Sequence, residues 1–456
     1  MDEPLSETTS RLTEYVAAAR GLELPDDVRE RTRLHLLDTL AAIVSGAVLP
    51  AGIAGRRFAE TVSGTPSGSL LGTTAVSDPV NAAIANGMAA HADESDDSQE
   101  SGQIHPGCGI LPAILVAAEL TRSTGTDLER AVALGYDVGA RFGELLQDVF
   151  NTFRSSHATH AWGPLFGGGF AAGSISRFDP SQLVTLFSYL TQEASGITTW
   201  PLDNHHVLKS YVFGGMSSGA AVRALRFVQL GFSGSGDVLV AERRNLLDAL
   251  GIATERSSHL VDRLGERWIM RESDIKSHTV GFPVIAPVGV VERLIREHGV
   301  RADDVRALRV FYHPDWYGIT ATSPMPDVNL PYCLAATLVD GRLSFASSHD
   351  ADRMSDPAIR AITDVVQLLP PTPGLDRMDV RVEIDTPTGT VVGEQNGPIL
   401  GRAGNPMNRE QVESKARELL NPVLGETGSE ALIAATRDLE SVRDVRDLIA
   451  LARPQS

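Results

Sequence analysis

Apolar residues recur at helical spacing through the first 250 positions of the chain. Behind Pro25-Asp26-Asp27, the residues Val28, Leu34, Leu36, Leu37, Leu40, Ala41 and Ile43 predict a helix with a broad buried face. Asp78-Pro79 opens an alanine-rich helix over Val80–Ala90, and Ile110–Leu120 reads as another. Leu128, Ala131, Leu134, Val138 and Phe142 place a helix on Asp127–Phe150, and Asp179 caps one over Pro180–Ala194. Strand character is thin here, confined to Ser69–Leu71. Residues 1–265 therefore read as an all-α domain.

The texture changes after Leu264. Trp268–Arg271, Val305–Tyr312, Met378–Ile384 and Gly389–Val392 alternate or carry β-branched residues, as strands do. Helical stretches at Pro283–Glu297 and Pro331–Val339 lie between them. Residues 266–400 thus predict a small α+β domain with its helices on one face of an antiparallel sheet. The glycine-rich loop Gly393–Asn405 leads back, and Asn408–Leu420 and Ser429–Asp438 return to the helical domain over residues 401–456. The expected fold class is mainly α: a large all-α helical domain with a smaller inserted α+β lid domain.

Composition sharpens this picture. Of 456 residues only 5% are aromatic, while glycine numbers 42, which suits close-packed Ala/Gly-rich helices. A formal net charge of −18 argues against nucleic acid or an anionic membrane as partner. An anionic substrate would have to be met by a few local Lys, Arg or His side chains. Cys108 and Cys333 have no disulfide, zinc or iron–sulfur spacing, so no metal site is expected. No apolar run is long enough to cross a bilayer, and the polar, acidic start Met1–Thr13 is unlike a signal peptide. The expectation is a soluble cytoplasmic protein.

Four polar spots interrupt the small-residue helices. The first is His91, Glu94, Asp96, Asp97 and Ser98, followed by His105-Pro106-Gly107. His157 and His160 come next, ahead of Gly163 and Gly167-Gly168-Gly169, where glycines costing about 1 kcal/mol each in a helix signal a close approach. The third is Asn204-His205-His206 with Lys209, which leads into Gly214-Gly215. The fourth, Lys276-Ser277-His278, stands at the predicted domain boundary, where clefts form. Acids, histidines and two lysines, with no nucleotide loop or cysteine nucleophile, suit carbanion formation next to a carboxylate. Cationic groups would hold the dianion and a His or Lys would move the proton. Dehydration, epimerisation and decarboxylation all pass through such an intermediate, and residue types alone leave the three open.

The run Ala85-Asn86-Gly87, His91, Glu94-Ser95-Asp96-Asp97-Ser98 and His105-Pro106-Gly107 resembles the N-terminal signature of the MmgE/PrpD family. That family includes 2-methylcitrate dehydratase, cis-aconitate decarboxylase and iminodisuccinate epimerase. His157-x-Thr159 with Gly163, Lys209, Gly231-Phe232-Ser233-Gly234, Lys276, Pro331-Tyr332 with Asp340-Gly341, and Lys415-Ala416 follow in the family's order. The resemblance implies a homodimer without cofactor acting on a small di- or tricarboxylate. It implies a pocket of Glu94, Ser98, His105, His157, Lys209 and Lys276; Tyr317 is added by its spacing after Lys276, and Asp97 and His278 are expected beside them on the substrate. His105 would transfer the proton, His157 would act as partner acid, and Lys209 and Lys276 would clamp carboxylates. His160, His205 and His206 are expected behind the pocket's lining or at its rim.

This chain departs from the family pattern at named positions. Glu94 replaces the usual Asp and Ser98 the usual Thr, while Val212 and Ile285 stand where histidines are common, and Gly281 falls where the family has Cys. The reaction type expected first is a hydro-lyase, a dehydratase of the 2-methylcitrate type. A decarboxylase or epimerase in the same pocket, or a non-catalytic homologue, are the alternatives.

Overall fold

The computed structural model describes residues 4–62, 67–147, 156–371 and 378–454. It is 61% helical and 8% strand, so the fold is mainly α. By its contacts the chain divides into two compact units. The first holds Met1–Ala92, Asp96–Ile275 and Asn408–Ser456; the second holds Asp93–Ser95 and Lys276–Met407.

The first unit opens with helices α1 (Glu7–Ala18), α2 (Asp26–Gly46) and α3 (Pro50–Glu60), then the short hairpin β1 (Gly68–Ser69) and β2 (Val76–Ser77). Helix α4 (Pro79–Ala90) starts where Asp78 accepts the backbone N–H groups of Val80 and Asn81. After β3 (Ser98–Gln99) come α5 (Pro106–Thr121), α6 (Gly125–Gln147), α7 (Thr159–Ile175) and α8 (Pro180–Glu193). The expected end of α6 at Phe150 lies outside the described residues. Asp179 and Gln182 close a capping box on α8. Helices α6 and α7 meet along a glycine seam, where a Cβ on Gly163 would lie 2.6 Å from the carbonyl oxygen of Gly139. The glycine cluster around Gly163 and Gly167 thus serves helix contact.

Next, α9 (Val207–Ser210) runs through a π-helical turn, Tyr211–Gly215, into α10 (Met216–Gln229). Helix α11 (Leu246–Leu250) and β4 (Ser273–Asp274), antiparallel to β3, complete this stretch. The expected strand at Trp268–Arg271 is instead a single 3-10 turn over Ile269–Glu272. Trp268, Ile269 and Met270 are all buried, so burial does not alternate as a strand would require.

The second unit contains α12 (Phe282–His298), β5 (Ala307–Phe311), α13 (Tyr317–Thr320), α14 (Leu330–Asp340), α15 (Phe345–Ser348), α16 (Pro357–Thr363), β6 (Val366–Leu369), β7 (Val380–Thr386) and β8 (Gly389–Gln395). The strand order is β6-β5-β7-β8. Strands β5, β7 and β8 pair antiparallel, but β6 joins β5 in parallel, so the sheet is mixed rather than wholly antiparallel. Leu308, Val310, Val382 and Ile384 turn inward onto Val288, Val291 and Leu294 of α12. On the other face Arg309 bridges Glu383 at 3.1 Å and Asp385 at 2.8 Å, the cross-strand pairing an exposed face favours. Gly393, expected in a loop, lies within β8.

The chain ends with α17 (Arg409–Arg437), broken at Gly425, whose φ of 69° leaves the helical region, and α18 (Val445–Leu451). Among the described residues no single helix is long and apolar enough to cross a membrane.

Candidate active site

In the first unit the π-helical turn carries Phe213 into a cluster of histidines. His91 stacks on the Phe213 ring at 4.5 Å between centroids, and His160 at 4.4 Å. His105 meets the same ring edge-on at 5.4 Å and His91 at 5.1 Å. Lys209 Nζ lies 5.3 Å from the Phe213 centroid and 5.6 Å from that of Trp200, within cation–π range. His206 holds the left-handed conformation (φ 59°) at the start of α9, with Nδ1 3.0 Å from the carbonyl oxygen of His91. Ser210 donates its hydroxyl to that same carbonyl. A non-glycine residue at positive φ is costly, and such strain gathers where function requires a set geometry.

One carboxylate organises the cluster. Asp96 Oδ2 takes His91 Nδ1 at 2.8 Å and His105 Nδ1 at 3.2 Å. A carboxylate oxygen accepts, so both rings carry a proton on Nδ1 and the lone pair sits on Nε2. The two histidines then differ by burial. Burial, aided by the charges of Lys209 and His105 and opposed by Asp96, pushes His91 down to about 3. His160 is held well below the usual imidazole value by burial and then by the charges of His105 and Lys209. Both are therefore neutral walls at pH 7. The His105 side chain keeps 16% exposure, while that of His91 keeps none. His91, Asp96 and His105 bring ligand atoms within 4.8 Å of one another, a group that could hold a metal ion. In this arrangement Asp96 is in direct hydrogen-bond contact with both rings.

Asp97 faces the other way. Its Oδ2 accepts from His35 Nδ1 at 2.7 Å and from the Tyr136 hydroxyl at 2.5 Å, and its Oδ1 accepts the Gly107 N–H at 2.8 Å. Fully buried, it anchors the first turn of α5 and so holds the backbone that follows His105. Burial and the neighbouring Asp97 charge raise the Tyr136 hydroxyl well above its ordinary value, keeping it a donor.

The second unit holds a buried polar pair. Lys276 Nζ donates to the Glu94 carbonyl at 3.0 Å and to Glu94 Oε2 at 3.1 Å, both side chains being buried. His278 is engaged with Glu292 Oε2 at 3.1 Å and with the Ser277 hydroxyl at 3.1 Å. Tyr317 donates to the Tyr312 carbonyl at 3.3 Å and lines a cavity of about 580 Å³ with Asn329, Tyr332 and Met354.

Residues 10–257 match the MmgE/PrpD N-terminal domain and residues 278–441 the MmgE/PrpD C-terminal domain. The chain belongs to the MmgE/PrpD family. Relatives include a cis-aconitate decarboxylase-like protein (oryM) of Aspergillus oryzae, 22% identical over 98% of this chain and 98% of its own. A cis-aconitate decarboxylase of Aspergillus terreus is 22% identical over 98% of this chain and 96% of its own. Membership supports activity of the lyase type at the level of the family.

Of the residues the family signature singles out, the first unit brings His105 and Lys209 to one cluster. Ser98 lies in β3, half-buried and paired with Asp274. His157 stands apart: it is exposed just before α7, bridged to Ile197, with Trp162 its ring neighbour at 6.1 Å. His160, one turn further and expected behind the lining or at the rim, is the histidine that reaches Phe213, because it lies inside the first turn of α7. Asp97, expected on the substrate, is committed to His35, Tyr136 and Gly107 instead. Sequence reasoning left out Asp96 as the shared acceptor and Phe213 as the platform. The family pattern names the acid without saying which way it turns, and a phenylalanine among small residues reads as core.

Proposed function

We propose that this family member is a cofactor-independent lyase that forms a carbanion next to a carboxylate of a small di- or tricarboxylate, working as a cytoplasmic homodimer. The observation that carries this reading is the Asp96 carboxylate shared by His91 and His105. His105 Nε2 takes or returns the proton at carbon, and the Asp96 charge stabilises the imidazolium formed. Neutral His91 and His160 enclose the site without competing for the proton, and Lys209 supplies a cation for a substrate carboxylate. In the second unit, Lys276 is read from the family resemblance as a clamp for a carboxylate.

The exit from the carbanion decides the reaction. In a hydro-lyase His105 removes the α-proton, the β-hydroxyl leaves with a proton as water, and the electron pair becomes the alkene. In a decarboxylase the bond to the carboxylate breaks, CO2 leaves, the electron pair stays on carbon, and His105 delivers a proton there. The residue types leave the exit open; the names of the relatives favour the second. Incubation with cis-aconitate, 2-methylcitrate and citrate in deuterated water separates them. CO2 release marks the decarboxylase, a new alkene with loss of water marks the hydro-lyase, and deuterium incorporation without net conversion marks an epimerase. A folded protein that does none of these on any small polycarboxylate overturns the reading.

A further inference from the structure

His349, which follows α15 in the second unit, is half-buried and belongs to none of the polar spots the sequence marks. Its Nδ1 lies 2.9 Å from the Phe345 carbonyl oxygen and 2.9 Å from the Ser348 hydroxyl. Its Nε2 lies 2.8 Å from Asp93 Oδ2 and 4.0 Å from Asp327 Oδ2. The carboxylates of Asp93 and Asp327 beside Nε2, with the Phe345 carbonyl at Nδ1, favour the protonated ring. Burial opposes that charge, but contact with Asp93, its charge and that of Asp327 raise His349 to about 9.

Asp93 also accepts the backbone N–H of Ser95 at 2.8 Å and the Ser95 hydroxyl at 2.7 Å. Burial works against its charge as well, while His349 and Ser95 hold its carboxyl below the ordinary value. The turn Asp93–Ser95 is thus closed by one carboxylate whose counter-ion is His349. Glu94, in the middle of that turn, presents both its carbonyl and its carboxylate to Lys276.

We propose that His349 is a positioning residue: through Asp93 it sets the turn that aims Glu94 at Lys276, and so fixes the Lys276 ammonium for a substrate carboxylate. This rests on the reading of Lys276 as a clamp. A neutral group at 349 would leave Asp93 a buried carboxylate without its counter-ion, and such a group reorganises its surroundings or draws in water. Misplacing a clamp by about 1 Å can cost about 10²-fold.

The test compares wild type, His349→Gln, Asp93→Asn and the double variant by two readouts. One is labelling of the Lys276 amine with acetic anhydride in the ligand-free protein, read by peptide mass spectrometry. The other is KM and kcat from pH 6 to 10, with cis-aconitate as the first substrate tried. His349→Gln should raise Lys276 labelling roughly tenfold and KM roughly 10- to 100-fold, with a smaller change in kcat. The double variant, neutral on both sides, should recover most of each effect. Wild-type substrate affinity should fall as pH rises through about 9, a step the His349→Gln variant lacks. Unchanged labelling in a folded His349→Gln protein overturns the proposal, as does a double variant no better than the single. If His349→Gln does not fold, the double variant decides: near-wild-type labelling supports charge compensation, and labelling raised roughly tenfold overturns it. If labelling responds while wild type turns over no polycarboxylate, the positioning role stands and the activity reading fails.

Discussion

Replacing Asp96 with Asn removes the charge that His91 and His105 share while keeping the shape of the side chain. When His105 takes a proton, its imidazolium forms with Nδ1 3.2 Å from Asp96 Oδ2, and at an effective dielectric of about 20 their attraction is about 5 kcal/mol. His105 is at the edge of solvent, and the Asn amide oxygen still accepts one hydrogen bond, so we take about 3–4 kcal/mol as lost. A tenfold change in rate is about 1.4 kcal/mol, which makes the expected fall in kcat roughly 10²–10³-fold. The assay is steady-state turnover of the best polycarboxylate, alongside the melting temperature and the rate of solvent deuterium exchange at the substrate carbon. Exchange should fall in step with turnover, because both depend on the same proton transfer. A folded Asp96→Asn protein within about tenfold of wild type in both would refute the claim that this carboxylate powers His105.

Two further predictions concern stability. Gly163→Val should lower stability by about 2–3 kcal/mol by forcing α6 and α7 apart, whereas Gly289→Ala in α12, where a Cβ meets nothing within 4 Å, should leave it unchanged or higher; denaturant titration of both separates seam from propensity, and equal effects would count against the seam. Burial works against the charge of Glu144, yet hydrogen bonds from His259, Arg267 and Ser101 bring its carboxyl from 4.5 down to about 2. Because the folded value is the lower one, this stabilisation is complete above pH 4.5 and lost as pH falls through about 2. Glu144→Gln should therefore melt lower than wild type near pH 6 and converge with it near pH 2; a constant gap would show the ion pairs contribute nothing.

What could be read from the chain was what local physics decides. Asp78-Pro79 and Asp179-Pro180 announce helix starts because a cap acts within four residues, and the structure puts α4 and α8 there. Val366–Leu369 was beyond reach: a four-residue, half-buried edge strand has no clean alternation, and its parallel partner lies more than 50 residues back. At Trp268–Met270 alternating bulk imitates a strand, but tertiary burial takes all three side chains. For the candidate site, histidine and lysine next to small residues pointed to the right segments, while orientation needed coordinates. His157 and His160 differ by three positions, and only the start of α7 at Thr159 separates an exposed ring from a stacked one. The pairing of His349 with Asp93 joins residues far apart in the chain, and no local pattern announces it.

The π-helical turn at Tyr211–Gly215 amounts to one residue added to an otherwise continuous helix. Each residue advances a helix by about 100°, so the segment before the turn and the segment after it run in different phase. Downstream, Ser218 and Gly219 keep the register that packs α10 against α4. Upstream, His206 and Lys209 answer to a second register. An ancestor with an unbroken helix could gain the present placement of Lys209 by a single-codon insertion, with the packing of α10 left as it was.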